Sequence, residues 1–212
     1  MEERILKTIQ VYNEHANDYH RINASLEPIQ DLLDFFIASM TGKRILDIGC
    51  GPGRDAKYLS MANFEVFGID LSRNFLDIAE KNAPRAKFRL MDMRKLDFPG
   101  GFFDGIWAAA SVLHIPKKDA LSTLRGFRTV LKSEGLLYIG LYHGQGEKMI
   151  IASQYDNKER FYALYSVNEA KQLLRRAGFQ VVKEIIKQNE EKKPTWINFF
   201  AIPTNCRAAK LG

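Results

Sequence analysis

A loop with three closely spaced glycines is the feature of the chain best suited to bind a small molecule. Gly49, Gly51 and Gly53 separate an apolar stretch from a helical pattern in KRILDIGCGPGRDAKYL, residues 43–59. Because glycine has no Cβ, such a loop can turn sharply and let a ligand approach its peptide groups. The spacing therefore predicts a nucleotide-type binding site at this loop.

The residues at the end of the loop disfavour two common nucleotide ligands. The dinucleotide pattern G-x-G-x-x-G would place its third glycine at position 54, which is Arg54. A phosphate-binding P-loop would need Lys followed by Ser or Thr, where the chain has Arg54-Asp55-Ala56. Both NAD and ATP or GTP are therefore disfavoured.

Acidic residues, rather than phosphate-binding groups, surround the loop. Asp47 precedes it, Asp70 ends the next apolar stretch, and Asp92 follows the one after that. Carboxylates attract cations and accept hydrogen bonds from hydroxyl and amino groups, whereas they would repel a pyrophosphate. S-adenosylmethionine carries an ammonium, a sulfonium, ribose hydroxyls and an adenine amino group, so it is the ligand that these acids suit.

From about Tyr12 to Ile202 the chain resembles the class I S-adenosylmethionine-dependent methyltransferases. The resemblance is carried by the glycine loop with its preceding acid, by the two later acids, and by the segment FDGIWAAASVLH. It implies that the loop wraps the methionine portion of S-adenosylmethionine, that Asp70 holds the ribose hydroxyls, and that Asp92 meets the adenine amino group. The cofactor-binding residues expected on this basis are Tyr19, Asp47, Gly49, Cys50, Gly51, Gly53, Asp70, Leu71, Asp92, Met93, Ala109 and Ser111.

Alternating strand and helix patterns predict the fold that positions these residues. Helical patterns alternate with apolar stretches that are rich in Val, Ile, Leu, Phe and Trp. This order predicts an α/β, Rossmann-like, seven-stranded and mostly parallel sheet with helices on both faces. The predicted strands are 44–48, 64–69, 86–90, 103–109, 136–141, 179–186 and 196–202, and the predicted helices are Arg54–Met61, Arg73–Asn82, Asp119–Leu131 and Val167–Ala177.

The carboxyl edge of the predicted sheet brings the candidate site residues together. Each of the first four predicted strands is followed by a candidate: the glycine loop after the first, Asp70 after the second, Asp92 after the third and Ser111 after the fourth. Ligands of such sheets bind outside the carboxyl ends of the strands. The last two strands are joined only by QNEEKKPT, which is too short for a crossover, so they are expected to form a C-terminal antiparallel hairpin. One domain is expected over 1–212, with the cofactor-binding core at 43–202.

Two further segments are expected to cover this edge. Residues 1–40 are expected to form a helical lid, because Ile5, Ile9, Tyr12 and other apolar residues up to Tyr19 recur at helical spacing. The resemblance implies that this segment lies over the methionine end of the cofactor. Residues 142–165 are long for a loop and dense in aromatic side chains, which is typical of a substrate-side loop.

Three residues are candidates for catalysis. Methyl transfer from a sulfonium depends mainly on proximity and orientation, so a base is optional. Where the acceptor must lose a proton, a histidine would help. His114 follows the fourth strand, whereas His143 and Tyr142 follow the fifth. A purely structural hydrogen-bonding role is the alternative for His114.

Composition sets the class of protein. With 212 residues, 46% of them hydrophobic, the chain can bury a core without disulfides, and its two cysteines, Cys50 and Cys206, are too few for a disulfide framework. His15 and His20 flank Asp18, but a fourth ligand is missing, so no metal is expected. No apolar run approaches the roughly 18 residues of a membrane helix, and the N-terminus is charged, so no membrane contact and a cytoplasmic location are expected.

The charge and the resemblance together define the expected function. The net charge of +6 is spread along the chain, without the run of five or six like charges that marks a basic arm. We therefore expect an S-adenosylmethionine-dependent methyltransferase acting on an enclosed small-molecule acceptor, with nucleic acid the less expected partner. The alternatives are an RNA- or tRNA-modifying methyltransferase and a non-catalytic protein that binds the cofactor. The acceptor atom and the oligomeric state stay open.

Overall fold

A seven-stranded sheet forms the centre of the molecule. The structure, a computed structural model, describes residues 2–188 and 195–204. Its strands are β1 (Arg44–Ile48), β2 (Glu65–Asp70), β3 (Lys87–Leu90), β4 (Phe103–Ala108), β5 (Leu131–Tyr142), β6 (Glu147–Ala152), β7 (Lys158–Ala163), β8 (Phe179–Lys187) and β9 (Trp196–Pro203). Seven of them form one sheet in the order β3-β2-β1-β4-β5-β9-β8. Six of these strands run in the same direction, and β9 runs in the opposite direction between β5 and β8. The predicted α/β sheet and its C-terminal hairpin are confirmed.

Helices cover both faces of this sheet. They are α1 (Glu3–Glu14), α2 (Ala16–Ile22), α3 (Gln30–Ala38), α4 (Arg54–Met61), α5 (Arg73–Asn82), α6 (Lys117–Val130) and α7 (Val167–Arg176). Successive residues of a strand point to opposite faces. Ile45 of β1 accordingly packs in a cluster with Phe36 of α3 and Leu59 of α4, whereas Leu46 packs in a second cluster with Leu124 of α6. The sheet is therefore buried on two sides, as expected for parallel strands.

Local sequence signals set several helix ends. The hydroxyl of Ser72 accepts a hydrogen bond from the N–H of Phe75 at 3.2 Å and caps α5. Gly178 follows α7 with a positive φ of 89°, which favours glycine and ends the helix.

The boundary between α6 and β5 differs from the prediction. The helix begins at Lys117 rather than Asp119, and β5 begins directly after it at Leu131 rather than at residue 136. The added strand residues are mostly polar and pair irregularly, since the register shifts between Phe103 and Gly105 of the neighbouring strand. Their sequence therefore lacks the apolar alternation that marks a strand.

The segment 142–165 is a β-hairpin, and its prediction as a loop was wrong. Strands β6 and β7 pair antiparallel, and the turn between them contains Asp156 and Asn157 with φ values of 49° and 56°. Asp and Asn tolerate this left-handed conformation, which tight hairpin turns require. The hairpin packs on α1, where the hydroxyl of Thr8 accepts a hydrogen bond from the N–H of Phe161 at 2.9 Å.

The N-terminal segment forms three helices instead of one continuous stripe. Helix α1 ends before His15, and α2 continues from Ala16 with its own first turn. Both Ile5 and Ala16 are buried, so the predicted apolar face does dock on the molecule. Expectations for residues after 204, including Cys206, lie outside the described residues.

Candidate functional site

The glycine loop lies between β1 and α4, at the carboxyl edge of the sheet. The N–H groups of Gly49 and Cys50 donate to the carbonyl of Ile69 at 2.8 and 3.0 Å, which ties the loop to β2. Gly49 has a φ of 67°, and a Cβ at this position would lie 2.5 Å from the Cβ of Ser111. Only glycine fits where these two segments approach each other.

The other two loop glycines serve different purposes. Gly51 has a φ of 50°, and a Cβ there would point toward Tyr19 and Phe75 at 3.9 and 4.0 Å. Gly53 has a φ of 80°, and its Cβ would meet Ala79 of α5 at 3.0 Å. Gly51 therefore faces a cavity, whereas Gly53 permits close packing of α4 on α5.

Two adjoining cavities open at this edge, with volumes of about 110 and 350 Å³. The smaller is lined by Asp70, Leu71, Asp92 and Met93, and the larger by Cys50, Tyr142 and the residues of the β7 face. Both are lined by the same seven residues, namely Tyr12, Tyr19, Gly49, Gly51, Ala109, Ala110 and His114. Residues from α1, α2, the glycine loop and the end of β4 thus form a common wall.

Asp70 binds the loop on one side and the start of α5 on the other. One carboxylate oxygen accepts from the N–H of Gly51 at 3.0 Å, and the other from the N–H of Ser72 at 2.8 Å. Burial raises the pKa of Asp70, and these backbone hydrogen bonds act in the opposite direction. Each oxygen retains a second lone pair that can accept from a ligand.

Asp92 already has a cationic partner. Arg94 donates to both oxygens of Asp92, at 2.6 Å from Nη2 and 3.0 Å from Nε. The pKa of Asp92 is lowered, because the hydrogen bonds and charge of Arg94 outweigh partial burial. Arg94, which the sequence did not suggest, also lines the smaller cavity.

Asp47 lies buried beneath the loop and lines neither cavity. Its Oδ2 has no hydrogen-bond partner among the described residues. Burial, reinforced by the nearby charge of Asp55, raises its pKa well above the usual value. Asp55 itself is held by the Nε of Arg54 at 2.7 Å and by the indole N–H of Trp107 at 2.9 Å.

His114 is part of a hydrogen-bonded chain that crosses the common wall. Its Nδ1 lies 2.7 Å from the carbonyl oxygen of Phe161, which can only accept, so Nδ1 carries the proton. Its Nε2 therefore accepts from the hydroxyl of Tyr12 at 2.9 Å. Burial, with a smaller contribution from the charge of Arg160, lowers the pKa of His114 to about 4, against the opposing effect of the hydrogen bond to Phe161. The imidazole is neutral at pH 7.

Arg160 extends this chain into the larger cavity. Its Nη1 donates to the hydroxyl oxygen of Tyr12 at 2.9 Å. Its guanidinium carbon lies 4.6 Å from the ring centre of Tyr155 and 5.4 Å from that of Tyr162. Arg160 and Tyr162 share one face of β7 because strand side chains alternate. Tyr155 also lines the larger cavity but was not among the predicted site residues. It directly precedes the turn at Asp156 and Asn157, whose position was not predicted.

The structure brings most, not all, of the predicted residues to the cavities. Tyr19, Gly49, Cys50, Gly51, Asp70, Leu71, Asp92, Met93, Ala109, Ser111, His114 and Tyr142 line one cavity or both. Asp47 and Gly53 lie beneath or behind the loop. His143 is exposed, lines neither cavity, and donates its backbone N–H to the carbonyl of Thr195 at 2.9 Å. The geometry therefore gives His143 no access to a ligand in these cavities.

The described residues, 2–188 and 195–204, contain neither a metal-binding cluster nor a membrane-spanning helix. No three His, Cys, Asp or Glu residues among them are grouped so that they could hold a metal ion. None of their helices has the length and apolarity needed to cross a membrane.

Comparison with known proteins agrees with this geometry. Residues 45–135, from β1 into β5, match the family model of the methyltransferase domain. This match, together with the relatives below, supports a methyltransferase domain of the class I S-adenosylmethionine-dependent type. The match covers the strands that carry the glycine loop, Asp70 and Asp92.

Known members of the family resemble the chain to different extents. Phosphoethanolamine N-methyltransferase 3 of Arabidopsis thaliana is 31% identical over 193 residues, which cover 85% of this chain but 39% of that protein. The chain thus spans well under half the length of this relative.

Two solved structures share the fold of this chain. One is a 1,6-didemethyltoxoflavin-N1-methyltransferase from Burkholderia thailandensis, with bound 1,6-didemethyltoxoflavin and S-adenosylhomocysteine. It has a TM-score of 0.75 at 20% identity, and the match covers 94% of this chain and 88% of that one. Magnesium protoporphyrin IX methyltransferase from Synechocystis, with bound S-adenosylmethionine, has a TM-score of 0.76 at 15% identity and covers 96% and 98%. At these identities the two structures establish the shared fold.

Proposed function

We propose that this chain is an S-adenosylmethionine-dependent methyltransferase that acts on a small-molecule acceptor. The observation that carries the proposal is the pair of adjoining cavities with a common wall at the carboxyl edge of the sheet. One cavity presents the acids Asp70 and Asp92, and the other presents aromatic rings and Arg160. Two cavities that meet suit two ligands whose reacting atoms must approach each other.

The smaller cavity and the loop fit the cofactor. Asp70 and Asp92 offer lone pairs to hydroxyl and amino groups, and the buried Oγ of Ser111 in the same cavity has no partner among the described residues. A cation above the loop would favour the ionised form of Asp47, whose pKa burial raises. Neighbouring structures with bound S-adenosylmethionine or S-adenosylhomocysteine support this assignment.

The residues of the common wall can move a proton from the acceptor. S-adenosylmethionine supplies a methyl group on a sulfonium, which an in-line nucleophile displaces. Tyr12 lies at the junction of the cavities, with its proton directed to Nε2 of His114. A proton leaving the acceptor can pass to the oxygen of Tyr12 as the hydroxyl proton passes to His114. His114 thus acts as a base through Tyr12 rather than by direct contact.

The residues that line the larger cavity favour a small acceptor over RNA. Residues from 1–40 and from the hairpin in 142–165 cover it, and its wall is rich in tyrosine. Long polyanions need an open, positively charged approach, whereas small ligands are bound in largely apolar pockets with a few polar groups. The relatives named above act, by their names, on small molecules such as phosphoethanolamine.

Transfer of a labelled methyl group tests this proposal. The protein is incubated with methyl-labelled S-adenosylmethionine and cell extract, which is then separated into small-molecule, protein and RNA fractions. Label is expected in the small-molecule fraction, and transfer at low S-adenosylmethionine concentration should fall with the Gly51→Ala variant. Label in RNA alone would establish the RNA-modifying alternative, and cofactor binding without transfer to any fraction would establish the non-catalytic one. The cytoplasmic location belongs to the same proposal, and fractionation of cells tests it.

A further inference from the structure

Arg160 is a buried cation with unused hydrogen-bonding capacity. Its side chain belongs to a residue that is 8% exposed, and it lines the larger cavity. Nη1 donates to Tyr12, whereas the buried Nε has no partner among the described residues. Arginine presents five N–H donors in a rigid fork that matches the oxygens of carboxylates and phosphates. The Nε–H donor of Arg160 therefore has no hydrogen-bond acceptor among the described residues.

The other arginines that line these cavities are each paired with an acid. Arg54, on the larger cavity, binds Asp55 at 2.7 Å, and Arg94, on the smaller, binds Asp92 at 2.6 Å. Arg160 has no carboxylate within 4.0 Å in the part of the chain that the structure describes. The linings of the two cavities thus contain two neutralised guanidinium groups and, among the described residues, one that lacks an anion.

Aromatic rings compensate the charge of Arg160 only in part. The rings of Tyr12, Tyr155 and Tyr162 lie 4.6 to 5.4 Å from its guanidinium carbon, within the range of cation–π attraction. Removing a cation from water costs more than such contacts return, and ring faces do not replace a hydrogen-bond acceptor in line with Nε–H. A purely structural role therefore leaves the free donor without a reason.

We propose that Arg160 binds an anionic group, a carboxylate or a phosphate, of the methyl acceptor. This inference rests on the proposed function, because it takes the larger cavity to be the acceptor site. The tyrosine hydroxyls that line the same cavity can donate further hydrogen bonds to such an anion. Arg160 is thus a specificity-determining residue that selects acidic acceptors.

An anion at Arg160 would also have a small effect on the base. The charge of Arg160 is one of the causes that lower the pKa of His114, and Tyr12 connects the two side chains. Neutralising that charge removes this smaller contribution, whereas burial, the main cause, continues to hold the pKa of His114 low.

Matched pairs of small probes test the anion preference. Benzoate is compared with benzamide, and phenyl phosphate with phenol, by calorimetry in the presence of S-adenosylhomocysteine. At least one anion should bind roughly ten- to a hundredfold more tightly than its neutral counterpart, as expected for hydrogen bonds to a charged group. The pair that shows the preference identifies a carboxylate or a phosphate as the matching group. Equal affinities within both pairs, or no binding of either anion, would overturn the proposal.

Variants assign the preference to Arg160. Arg160→Gln should abolish it while leaving S-adenosylhomocysteine affinity within a few-fold, and Arg160→Lys should retain part of it. Arg125→Gln, which removes an exposed arginine of α6 that lines neither cavity, is the charge-matched control and should change nothing. A preference that survives in Arg160→Gln would overturn the assignment.

A measurement on the unaltered protein covers the case in which Arg160→Gln does not fold. The Nε–H resonance of Arg160, identified as the one missing from Arg160→Lys, should shift on addition of the anions and not of the neutral probes. An unmoved resonance under a saturating anion would contradict the proposal. Titration with S-adenosylhomocysteine distinguishes failure of the proposed function from failure of this inference. An anion preference without cofactor binding would refute the proposed function. Cofactor binding without an anion preference would refute only the role given to Arg160.

Discussion

Replacing Gly51 by Ala should separate cofactor binding from folding. Gly51 has a φ of 50°, a left-handed conformation that costs a non-glycine residue about 1–2 kcal/mol. The nearest atoms to the added Cβ, in Tyr19 and Phe75, lie at 3.9 and 4.0 Å, which is ordinary contact, so no clash adds to this cost. The free energy of unfolding should fall by about 1–2 kcal/mol, and the variant should fold.

Cofactor affinity should fall separately in the same variant. The added methyl group points into the space between the loop, Tyr19 and Phe75, through which the proposed cofactor passes. Overpacking of one methyl group typically costs 1–3 kcal/mol, which corresponds to roughly five- to a hundredfold weaker binding. Calorimetry with S-adenosylhomocysteine measures the affinity, and denaturant unfolding without ligand measures the stability.

Gly53→Ala is the matched control. Its φ of 80° carries the same type of backbone cost, and its Cβ would additionally lie 3.0 Å from Ala79. Unfolding should be destabilised by about 1–3 kcal/mol more than in Gly51→Ala, whereas cofactor affinity should stay near that of the parent once the protein is folded. If Gly51→Ala bound S-adenosylhomocysteine as tightly as the parent, the cofactor could not run over this loop as proposed.

Three further changes test other parts of the site. Asp70→Ala should weaken S-adenosylhomocysteine binding by about 1.5–3 kcal/mol through lost hydrogen bonds to the ribose, and unchanged affinity in calorimetry would remove Asp70 from the site. His114→Ala should lower kcat roughly a hundredfold or more with nearly unchanged cofactor affinity, whereas full activity would show that the acceptor needs no base. Burial lowers the pKa of His114 to about 4 from an ordinary 6.5, so on acidification the unfolded chain takes up the proton at a higher pH than the folded protein does. The free energy of unfolding should therefore decline as pH falls from 6.5 to 4, by up to about 3 kcal/mol. Denaturant unfolding of the parent and of His114→Gln across this range isolates the effect, and identical pH profiles would contradict it.

The centre of the sheet was predictable because its strands, such as β1 and β4, are buried. Their stretches RILDI and FDGIWA are mostly apolar, and loops with glycine or aspartate separate such stretches. Their carboxyl ends meet at one edge in any parallel sheet, which is why the glycine loop and Asp70 could be placed together. The first residues of β5 were missed because a polar run that follows a helix without a break has no strand pattern.

The acceptor side could not be predicted in the same way. The face that Arg160 and Tyr162 share exists only because residues 158–163 form a strand, and the segment was taken for a loop. Asp and Asn are common turn residues, so Asp156-Asn157 marked a turn within this segment. The contact between Tyr12 and His114 joins residues 102 apart in sequence and depends on how α1 docks. No local pattern encodes such a contact.

With the cofactor and the acceptor in the two cavities as proposed, the common wall is expected to make the two binding events cooperative. Tyr12 and Tyr19 border both cavities, so a ligand in either one restricts side chains that the other ligand must also restrict. The second ligand then pays less conformational entropy, and each ligand raises the affinity for the other by the same factor. Reciprocity applies to the products as well. A methylated acceptor that remains bound is expected to raise the affinity for S-adenosylhomocysteine, and S-adenosylhomocysteine to raise the affinity for the methylated acceptor by the same factor.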